Sequence, residues 1–430
     1  MKHLSYPKYH ENIYYKELDN GLKVYLIPKN DYNKTFVTFT TNYGAFDQSF
    51  VPIGKTRRVN QPAGIAHFLE HKLFAMPDGS DAFEKLSAFG VSANAFTSFD
   101  KTSYLFSGTN HIKEALAYLL DFVQTPYFTK SSVEKEQGII AEEYQMYQDY
   151  PDQRIYYGLL ENMYQKHPIN TEILGTIESI YEITAHKLYQ AYETFYHPSN
   201  MVLTVIGNFD KDEILALITE NQKAKGYQKA LPIKRFLVKE PLAIAKKETT
   251  IEMSINMPYV GIGVKLIPET DLKALYKQEL ILDLLLGMYF HKSGEIYNSL
   301  LKKGIINQSF RMGAIQYEGA LSIISYGMTP AVDLFISHIK RGLTGLKRRA
   351  FDEAKFNRQK KVMQGSFIRS LNNLESYNIQ FMSHLPYGIS LFDVPAIIDS
   401  ITLDDLIEMA YQIKPSKMTT LIINPKKGNN

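Results

Sequence analysis

The sequence contains no cysteine, and this absence removes several kinds of chemistry. Disulfide bonds, thiol nucleophiles, iron–sulfur clusters and cysteine-containing zinc sites all need a residue that the chain does not have. Any bound metal would therefore be held by histidine, aspartate and glutamate. The chain has 11 histidines, which are enough for such a site.

An excess of one charge and long apolar runs are also lacking. The 48 lysines and arginines nearly balance the 45 aspartates and glutamates, and a net charge of +3 does not predict a nucleic-acid partner. The longest apolar stretch, 280–290, is interrupted by Asp283 and is too short to cross a bilayer. The residues after Met1 lack the apolar core of a signal peptide. We therefore expect a cytoplasmic protein that binds neither membrane nor nucleic acid.

The length and composition predict a globular chain of several domains. Of the 430 residues, 45% are hydrophobic and 22% are charged, which suits a soluble globular protein. At roughly 150 residues per domain, the chain has room for about two or three domains.

A helix–turn–strand pattern occurs twice. A predicted helix begins at Ile183-Thr184 and meets a strand at Pro198-Ser199-Asn200-Met201, and the same pattern runs from Ile401-Thr402 to Pro415-Ser416-Lys417-Met418. The two copies lie 218 residues apart at their start and 217 residues apart at their end. This regular offset indicates an internal duplication into two similar halves. Chance similarity between two helix–strand units is the alternative.

The segment His67-Phe68-Leu69-Glu70-His71 indicates a metal site. It lies in a predicted helix over 61–74, where residues four apart share a face, so His67 and His71 can bind one ion. Glu70 would sit beside that ion, where a general base can take a proton from an activated water. The small and apolar neighbours predict a buried helix, in which these polar groups cost free energy unless they are paired or coordinated. Two ordinary histidines on a helix are the alternative.

Two histidines need a third ligand, usually a carboxylate, and leave a fourth position to water. A second predicted helix, over 131–147, offers Glu134, Glu136, Glu142 and Glu143. Glu136 and Glu143 are seven residues apart and project from one face, whereas Glu142 is rotated from that face by about 100°. A solvated acidic face is the alternative explanation of this helix.

These features resemble the pitrilysin/insulinase-type zinc peptidases, in particular the short branch that includes mitochondrial processing peptidase and its bacterial relatives. The second half of the chain shares only the helix–strand rhythm of that family. In the first half the resemblance rests on Gly64–His71, Ser92–Thr97, Thr102–Tyr104, Glu136–Glu143, Gly175-Thr176 and Phe195–Met201.

The resemblance implies a role for each matching residue. One zinc ion per chain would be held by His67, His71 and Glu143, with Glu70 as the general base. Glu136 would support the site by contacting a ligand from outside. The 72 residues between His71 and Glu143 are fewer than the family suggests. Glu142 therefore remains an alternative third ligand, although the shared face with Glu136 favours Glu143.

The segment around Asn94 resembles the family's edge strand beside the site. The resemblance implies that Asn94, with Ala95 and Phe96, binds the backbone of an extended peptide that adds to the sheet as a further strand. An ordinary strand asparagine is the alternative.

The expected fold is α+β, with two homologous halves that face each other like a clam shell. Each half would be a mainly antiparallel sheet packed with helices on one side. The predicted domains are an N-terminal half carrying the zinc site over 1–220 and a C-terminal half without metal ligands over 251–430. A lysine-rich linker with irregular structure would join them over 221–250.

One departure from the family concerns the second half. Active members carry an arginine and a tyrosine that close over the substrate, and here Leu300 and Asn307 stand in their places if Gly304 is aligned. We expect a zinc-dependent endopeptidase acting on peptides or unstructured segments, either as a homodimer or with a same-fold subunit that supplies the Arg/Tyr pair. A non-catalytic peptide-binding or assembly subunit is the alternative.

Overall fold

The computed structural model describes residues 1–349 and 352–426, so the last four residues of the predicted C-terminal half lie outside the described residues. Its strands are β1 (Lys2–Tyr6), β2 (Glu11–Glu17), β3 (Lys23–Pro28), β4 (Thr35–Thr41), β5 (Ser49–Val51), β6 (Val59–Asn60), β7 (Ser92–Thr97), β8 (Thr102–Gly108), β9 (Met201–Gly207), β10 (Lys234–Arg235), β11 (Glu248–Met253), β12 (Tyr259–Lys265), β13 (Arg311–Tyr317), β14 (Ala320–Met328) and β15 (Met418–Pro425).

Helices occupy most of the remaining sequence, and short 3₁₀ turns connect several of them. The α-helices are α1 (Ile65–Leu73), α2 (Ala82–Ala88), α3 (Ile112–Val123), α4 (Lys130–Gln148), α5 (Pro151–Met163), α6 (Ile177–Tyr181), α7 (Ala185–Phe195), α8 (Lys211–Ala224), α9 (Leu272–Phe290), α10 (Glu295–Lys302), α11 (Val332–Gly345), α12 (Glu353–Ser370), α13 (Leu374–His384), α14 (Val394–Ser400) and α15 (Leu403–Gln412). Within the described residues, none of these helices is both long enough and apolar enough to cross a membrane.

The chain divides into two compact units. The first unit contains Met1–Tyr144, Glu172–Leu237 and Asn373–Ile379. The second contains Gln145–Thr171, Val238–Asn372 and the chain from Gln380 onward. The division therefore falls within α4 and within α13. The domain boundaries predicted at residues 220 and 250 remain a prediction.

The first unit is built on a seven-stranded sheet with the order β1-β2-β3-β9-β4-β8-β7. Only β3 and β9 pair in parallel; the other neighbours are antiparallel. All seven residues of β4 are buried, although four of them are threonines. Two of the threonine hydroxyls bond to neighbouring strands, Thr38 to Thr204 at 3.0 Å and Thr40 to Ser103 at 2.8 Å. A small sheet of β10, β5 and β6 completes this unit.

The second unit repeats the central part of this arrangement. Its five strands have the order β11-β15-β12-β14-β13, and again only the first pair, β11 and β15, is parallel. The strands correspond in order to β3-β9-β4-β8-β7 of the first unit. The two copies of the predicted helix–strand pattern are α7 with β9 and α15 with β15, and Thr184 and Thr402 cap their helices in the same way. The predicted α+β class with two similar halves is confirmed.

The helix predicted over 61–74 begins later than expected, at Ile65. Gly64 is its N-cap and has a φ of 87°, a left-handed backbone conformation that residues other than glycine rarely adopt. A Cβ atom on Gly64 would also lie 2.2 Å from the carbonyl oxygen of Leu174. The backbone at Gly64 therefore lies directly against the loop at Leu174. The chain turns at Gly64, and the helix begins after this turn.

We predict that Gly64→Ala lowers the free energy of unfolding by about 2–4 kcal/mol, because it adds left-handed strain and a clash with backbone that cannot move aside cheaply. Urea unfolding followed by circular dichroism measures the change. Gly138→Ala is the matched control, since Gly138 lies within α4 and a Cβ there meets nothing within 4 Å. The free energy of unfolding of that control should rise by roughly 0.5–1 kcal/mol, because alanine has a better helix propensity than glycine. Equal effects of the two variants would contradict the packing argument.

Helix α9 carries two buried carboxyl groups four residues apart. Burial, and then the charge of Asp283, raise the pKa of Glu279 to about 8, and burial raises the pKa of Asp283 to about 6. A carboxyl group with a raised pKa binds its proton more tightly in the folded than in the unfolded chain. Its contribution to stability is therefore present at low pH and is lost as the pH rises towards the folded value.

We predict that Glu279→Gln makes the protein more stable than the wild type at pH 8 and leaves the two nearly equal at about pH 5, because glutamine stays neutral throughout. Thermal unfolding across this range measures the difference. Glu408→Gln, at an exposed position of α15, is the control. It should change the stability by the same amount at pH 5 and at pH 8. A parallel pH profile for Glu279→Gln and the wild type would show that Glu279 is charged in the folded protein.

Candidate metal centre

Helix α1 is buried on almost all sides, including its polar residues. Its apolar side chains, among them Phe68 and Leu69, belong to the core of the first unit. His67 and Glu70 are each only 8% exposed. The rings of His67 and His71 lie with their centroids 4.6 Å apart, as expected for residues one helical turn apart. The two imidazoles are therefore neighbours on one side of the helix, with His67 buried and His71 partly exposed.

Glu143 of α4 meets the two imidazoles. Its Oε2 atom lies 3.9 Å from Nε2 of His67 and 3.6 Å from Nε2 of His71. One ligand atom from each of the three residues lies within 4.8 Å of the other two. Ligand atoms about 2 Å from a tetrahedral zinc ion are separated by roughly 3.3 Å, so a small contraction around an ion would bring these atoms into place. Glu142, the alternative third ligand, is exposed and is not part of this group.

A second carboxylate contacts the ring nitrogen of His71 that does not face Glu143. Its Nδ1 atom lies 3.2 Å from Oε1 of Glu136, so the N–H can donate there while Nε2 faces Glu143. Glu136 in turn lies 3.5 Å from Nζ of Lys72, a lysine that is only 3% exposed. Such a carboxylate fixes the tautomer and the orientation of a ligand imidazole.

Glu70 is held by the strand at the sheet edge. The hydroxyl of Thr97, the last residue of β7, donates a hydrogen bond of 2.5 Å to Oε2 of Glu70. The same hydroxyl lies 3.2 Å from that of Thr102 on β8. The carboxylate therefore has one oxygen anchored by protein, and its orientation depends on the position of β7.

Burial and neighbouring groups shift the proton affinity of His67, His71 and Glu70 in different directions. Burial, followed by the charge of His71, lowers the pKa of His67 to about 3, so its imidazole is neutral at pH 7. Burial also lowers the pKa of His71, but the hydrogen bond that His71 donates to Glu136 and the charges of the nearby carboxylates outweigh it and raise the pKa overall. Burial raises the pKa of Glu70, and the bond from Thr97 only partly opposes this.

The donor set fits a zinc ion. Oε2 of Glu143 and Nδ1 of His67 are buried without a hydrogen-bond partner among the described residues. Unpaired buried polar atoms cost free energy, and for the Glu143 oxygen a cation between it and the two imidazoles would remove that cost. Two imidazoles and one carboxylate are a common zinc ligand set in enzymes that leave the fourth position open.

The predicted substrate-binding residues lie on an edge strand. Strand β7 is the last strand of the seven-stranded sheet and pairs only with β8 within the described residues. Asn94 is exposed, and its side-chain oxygen accepts a hydrogen bond of 2.9 Å from the backbone N–H of Ala95. Phe96 follows on the same strand. The contact of Asn94 and its two neighbours with a substrate remains a prediction.

The two positions that depart from the family pattern have structural roles. Leu300 is 2% exposed and belongs to the buried part of the second unit. The side-chain amide of Asn307 donates to the carbonyl of Met328 at 3.0 Å and accepts from the backbone N–H of Ser309 at 2.8 Å. Neither side chain is available to act on a substrate.

Two residues of the site were not predicted from the sequence. Lys72 directly follows His71 in a helix that was predicted to be buried, and a lysine at such a position needs a partner, which is the signal that could have identified it. Thr97 ends the segment that resembles the family's edge strand, but its bond to Glu70 depends on how the strand passes the helix. No sequence spacing predicts that contact.

Comparison with known proteins shows where this chain belongs. Residues 50–177 match the family described as Insulinase (Peptidase family M16), and residues 182–363 match the Peptidase M16 inactive domain. The uncharacterized zinc protease YmfH of Bacillus subtilis is 43% identical over 430 residues, which span 99% of this chain and 100% of that protein. A second Bacillus subtilis protein, the uncharacterized zinc protease YmxG, is 26% identical over 76% of this chain and 79% of its own length.

Solved structures agree with these matches. The crystal structure of an M16-like peptidase from Alicyclobacillus acidocaldarius has a TM-score of 0.92 and 34% identity, covering 98% of this chain and 100% of the other. A protease from Helicobacter pylori shares the fold with a TM-score of 0.81 at 20% identity, covering 96% and 99% of the two chains. The chain belongs to the insulinase family of zinc peptidases, family M16.

Proposed function

We propose that the protein is a zinc-dependent endopeptidase that hydrolyses peptides or unstructured protein segments. One observation carries this proposal: His67, His71 and Glu143 converge around a space suited to one cation, with the buried carboxylate of Glu70 beside them. The family membership supports the same conclusion. Zinc bound at such a site supplies a Lewis acid that lowers the pKa of a water molecule and polarises a carbonyl group.

The residues of this chain would then perform distinct tasks. Neutral His67, His71 and the Glu143 carboxylate hold the ion. Glu70 takes the proton from the attacking water and later passes it to the leaving amine, and its raised pKa brings it nearer to the operating pH of a general base. Glu136 keeps the imidazole of His71 oriented through Nδ1.

An extended peptide can reach this site along β7. An edge strand offers unpaired backbone groups, and a peptide that pairs with them is held by main-chain hydrogen bonds. Asn94, Ala95 and Phe96 are the residues we assign to this contact. Thr97 at the end of the same strand links it to Glu70, so strand addition and the general base are joined by one hydrogen bond.

A second candidate function is a non-catalytic peptide-binding or assembly subunit. The side chains of Leu300 and Asn307 favour it, because both are committed to structure where active members carry an arginine and a tyrosine. A partner subunit of the same fold that supplies the arginine and the tyrosine would make the two candidate functions compatible within one heterodimer. A homodimer is the simpler assembly. The intact ligand set is the reason we place hydrolysis first.

We predict that Glu70→Gln lowers the rate of peptide cleavage by about 10²–10⁴-fold, because the amide cannot accept the proton of the attacking water. Zinc content, measured on the same preparation by metal analysis, should stay at one ion per chain. Glu142→Gln, an exposed neighbour of the proposed ligand, is the control and should keep both activity and zinc. Wild-type cleavage by Glu70→Gln would refute the mechanism. A folded wild-type chain that cannot take up zinc would favour the non-catalytic subunit.

We predict that Glu136→Gln weakens zinc binding by roughly 10–100-fold, since His71 loses the charged acceptor that orients it. Competition with a chelator measures the affinity. The variant also leaves the buried Lys72 without its ion-pair partner and should be less stable. The double variant Glu136→Gln/Lys72→Met should recover stability but not zinc affinity. Recovery of both would show that Glu136 serves only to neutralise Lys72.

A further inference from the structure

A groove with basic and apolar walls lies in the second unit, between α10 and the end of α11. Its volume is about 550 Å³, which is within the usual range for small-molecule sites. Ile296, Ser299 and Leu300 of α10 form one wall, and Arg341 and Arg348 contribute to the other. No residue of the groove belongs to the first unit, which carries the metal-binding group.

The basic wall is one face of a continuous helical segment. Helix α11 runs into a 3₁₀ turn over Leu346–Arg348, and Gly345 at the junction has helical dihedral angles, with φ −75° and ψ −16°. Arg341, Gly345 and Arg348 follow one another at spacings of four and three residues, so they lie on the same face. The buried apolar residues of this segment recur on its other side. The arginines therefore project into the groove and not into the core.

The guanidinium groups of Arg341 and Arg348 have no partner in the protein. Both residues are exposed, and among the described residues neither side chain forms an ion pair or a hydrogen bond. Ile296 and Leu300 on the facing helix are buried, at 7% and 2% exposure. The groove thus combines two unpaired positive charges with an apolar wall.

One carboxylate also lines the groove, but both of its oxygens are already bonded. Oε1 of Glu295 accepts a hydrogen bond from the guanidinium of Arg349, and Oε2 lies 3.2 Å from Nζ of Lys355. Arg349 also lies over the ring of Tyr289, with 5.5 Å between its Cζ atom and the ring centroid. This group of one acid and two basic side chains keeps a surplus positive charge. Glu295 therefore does not neutralise the two unpaired arginines.

These groups determine which ligand chemistry fits the groove. A guanidinium is a planar fork that can bind two oxygens of a phosphate or a carboxylate at once. Seven residues separate Arg341 from Arg348, or roughly 10 Å along the helix, and two arginine side chains can close that distance around one anion. Two forks need more oxygens than one carboxylate offers, and a phosphoryl group has three. The apolar wall favours a ligand whose other end is uncharged.

We propose that this groove binds a small phosphate monoester. Its phosphoryl group lies between Arg341 and Arg348, and its organic group packs against Ile296 and Leu300. The inference goes beyond the proposed function, because it concerns a different unit and requires neither the metal ion nor peptide hydrolysis.

Binding of phenyl phosphate to the full, zinc-loaded chain tests this assignment. Saturation-transfer-difference NMR measures its dissociation constant, and displacement of the phenyl phosphate signal ranks two competitors. Inorganic phosphate should compete roughly tenfold more weakly, because it lacks the apolar group. Phenol should also compete more weakly, because it lacks the negative charge that the arginines bind.

Three variants locate the bound probe. Arg341→Gln should weaken binding roughly 10–100-fold, because it removes charged hydrogen bonds to the phosphoryl group. Gly345→Leu should abolish binding, since a Cβ at Gly345 meets nothing within 4 Å and a leucine can fill the groove without a clash. Lys347→Gln removes one exposed positive charge outside the groove and is the matched control, with a change below about twofold. Thermal unfolding shows that each variant is folded.

Loss of binding in Arg341→Gln and Gly345→Leu, with Lys347→Gln unchanged, supports the inference. A wild-type chain that binds no phenyl phosphate overturns it. Binding that survives Arg341→Gln also overturns it, because the anion would then lie elsewhere, for example on the zinc ion. Equal affinities for phenyl phosphate and inorganic phosphate, or for phenyl phosphate and phenol, contradict a site for a monoester. Tighter binding of hexaglutamate than of phenyl phosphate would assign the groove to an acidic protein segment instead.

Discussion

The free-energy cost of burying polar groups in α1 governs the first unit. The helix inserts two histidines, a glutamate and a lysine into an apolar core, and each must find a partner or a bound ion. The partners come from two other elements: α4 supplies Glu136 and Glu143, and β7 supplies Thr97. The position of α4 and the edge of the sheet are therefore tied to one helix.

The same free-energy cost indicates that the buried polar groups of α1 are kept for a reason other than stability. A helix with only apolar residues here would pack as well or better, so the polar groups are not explained by stability. The unpaired oxygen of Glu143 is a remaining cost that the protein chain itself does not offset. A cation between Glu143 and the imidazoles relieves it, which is why the structure fits metal binding better than a buried ion-pair network.

The second unit shows what the fold does without this cluster. Helix α9 is the first helix after β12, as α1 is the first after β4, and β12 takes the place of β4 in the strand order. On α9 the residues four apart are Glu279 and Asp283, with no histidine, and neither forms an ion pair within the described residues. The raised pKa of Glu279, about 8, keeps its carboxyl group protonated at neutral pH. Among the described residues, the repeated fold thus carries a group of side chains that could hold a metal ion only in the first unit.

The sequence alone determined the α+β class and the repeat, and its helical spacing predicted that His67 and His71 share a face with Glu70 beside them; Glu143 was preferred to Glu142 from the resemblance to the family and from the face that Glu143 shares with Glu136. These follow from local periodicity and spacing, because residues four or seven apart on a helix share a face whatever the rest of the chain does. The start of α1 at Ile65 was not predictable, since it depends on a close approach between Gly64 and a loop over a hundred residues away.

Only the tertiary structure decided the partners of the site residues. Lys72 with Glu136, and Thr97 with Glu70, are contacts between separate elements, and their distances are set by how helices and strands pack. Sequence spacing carries no information on such contacts, because packing in three dimensions brings these side chains together.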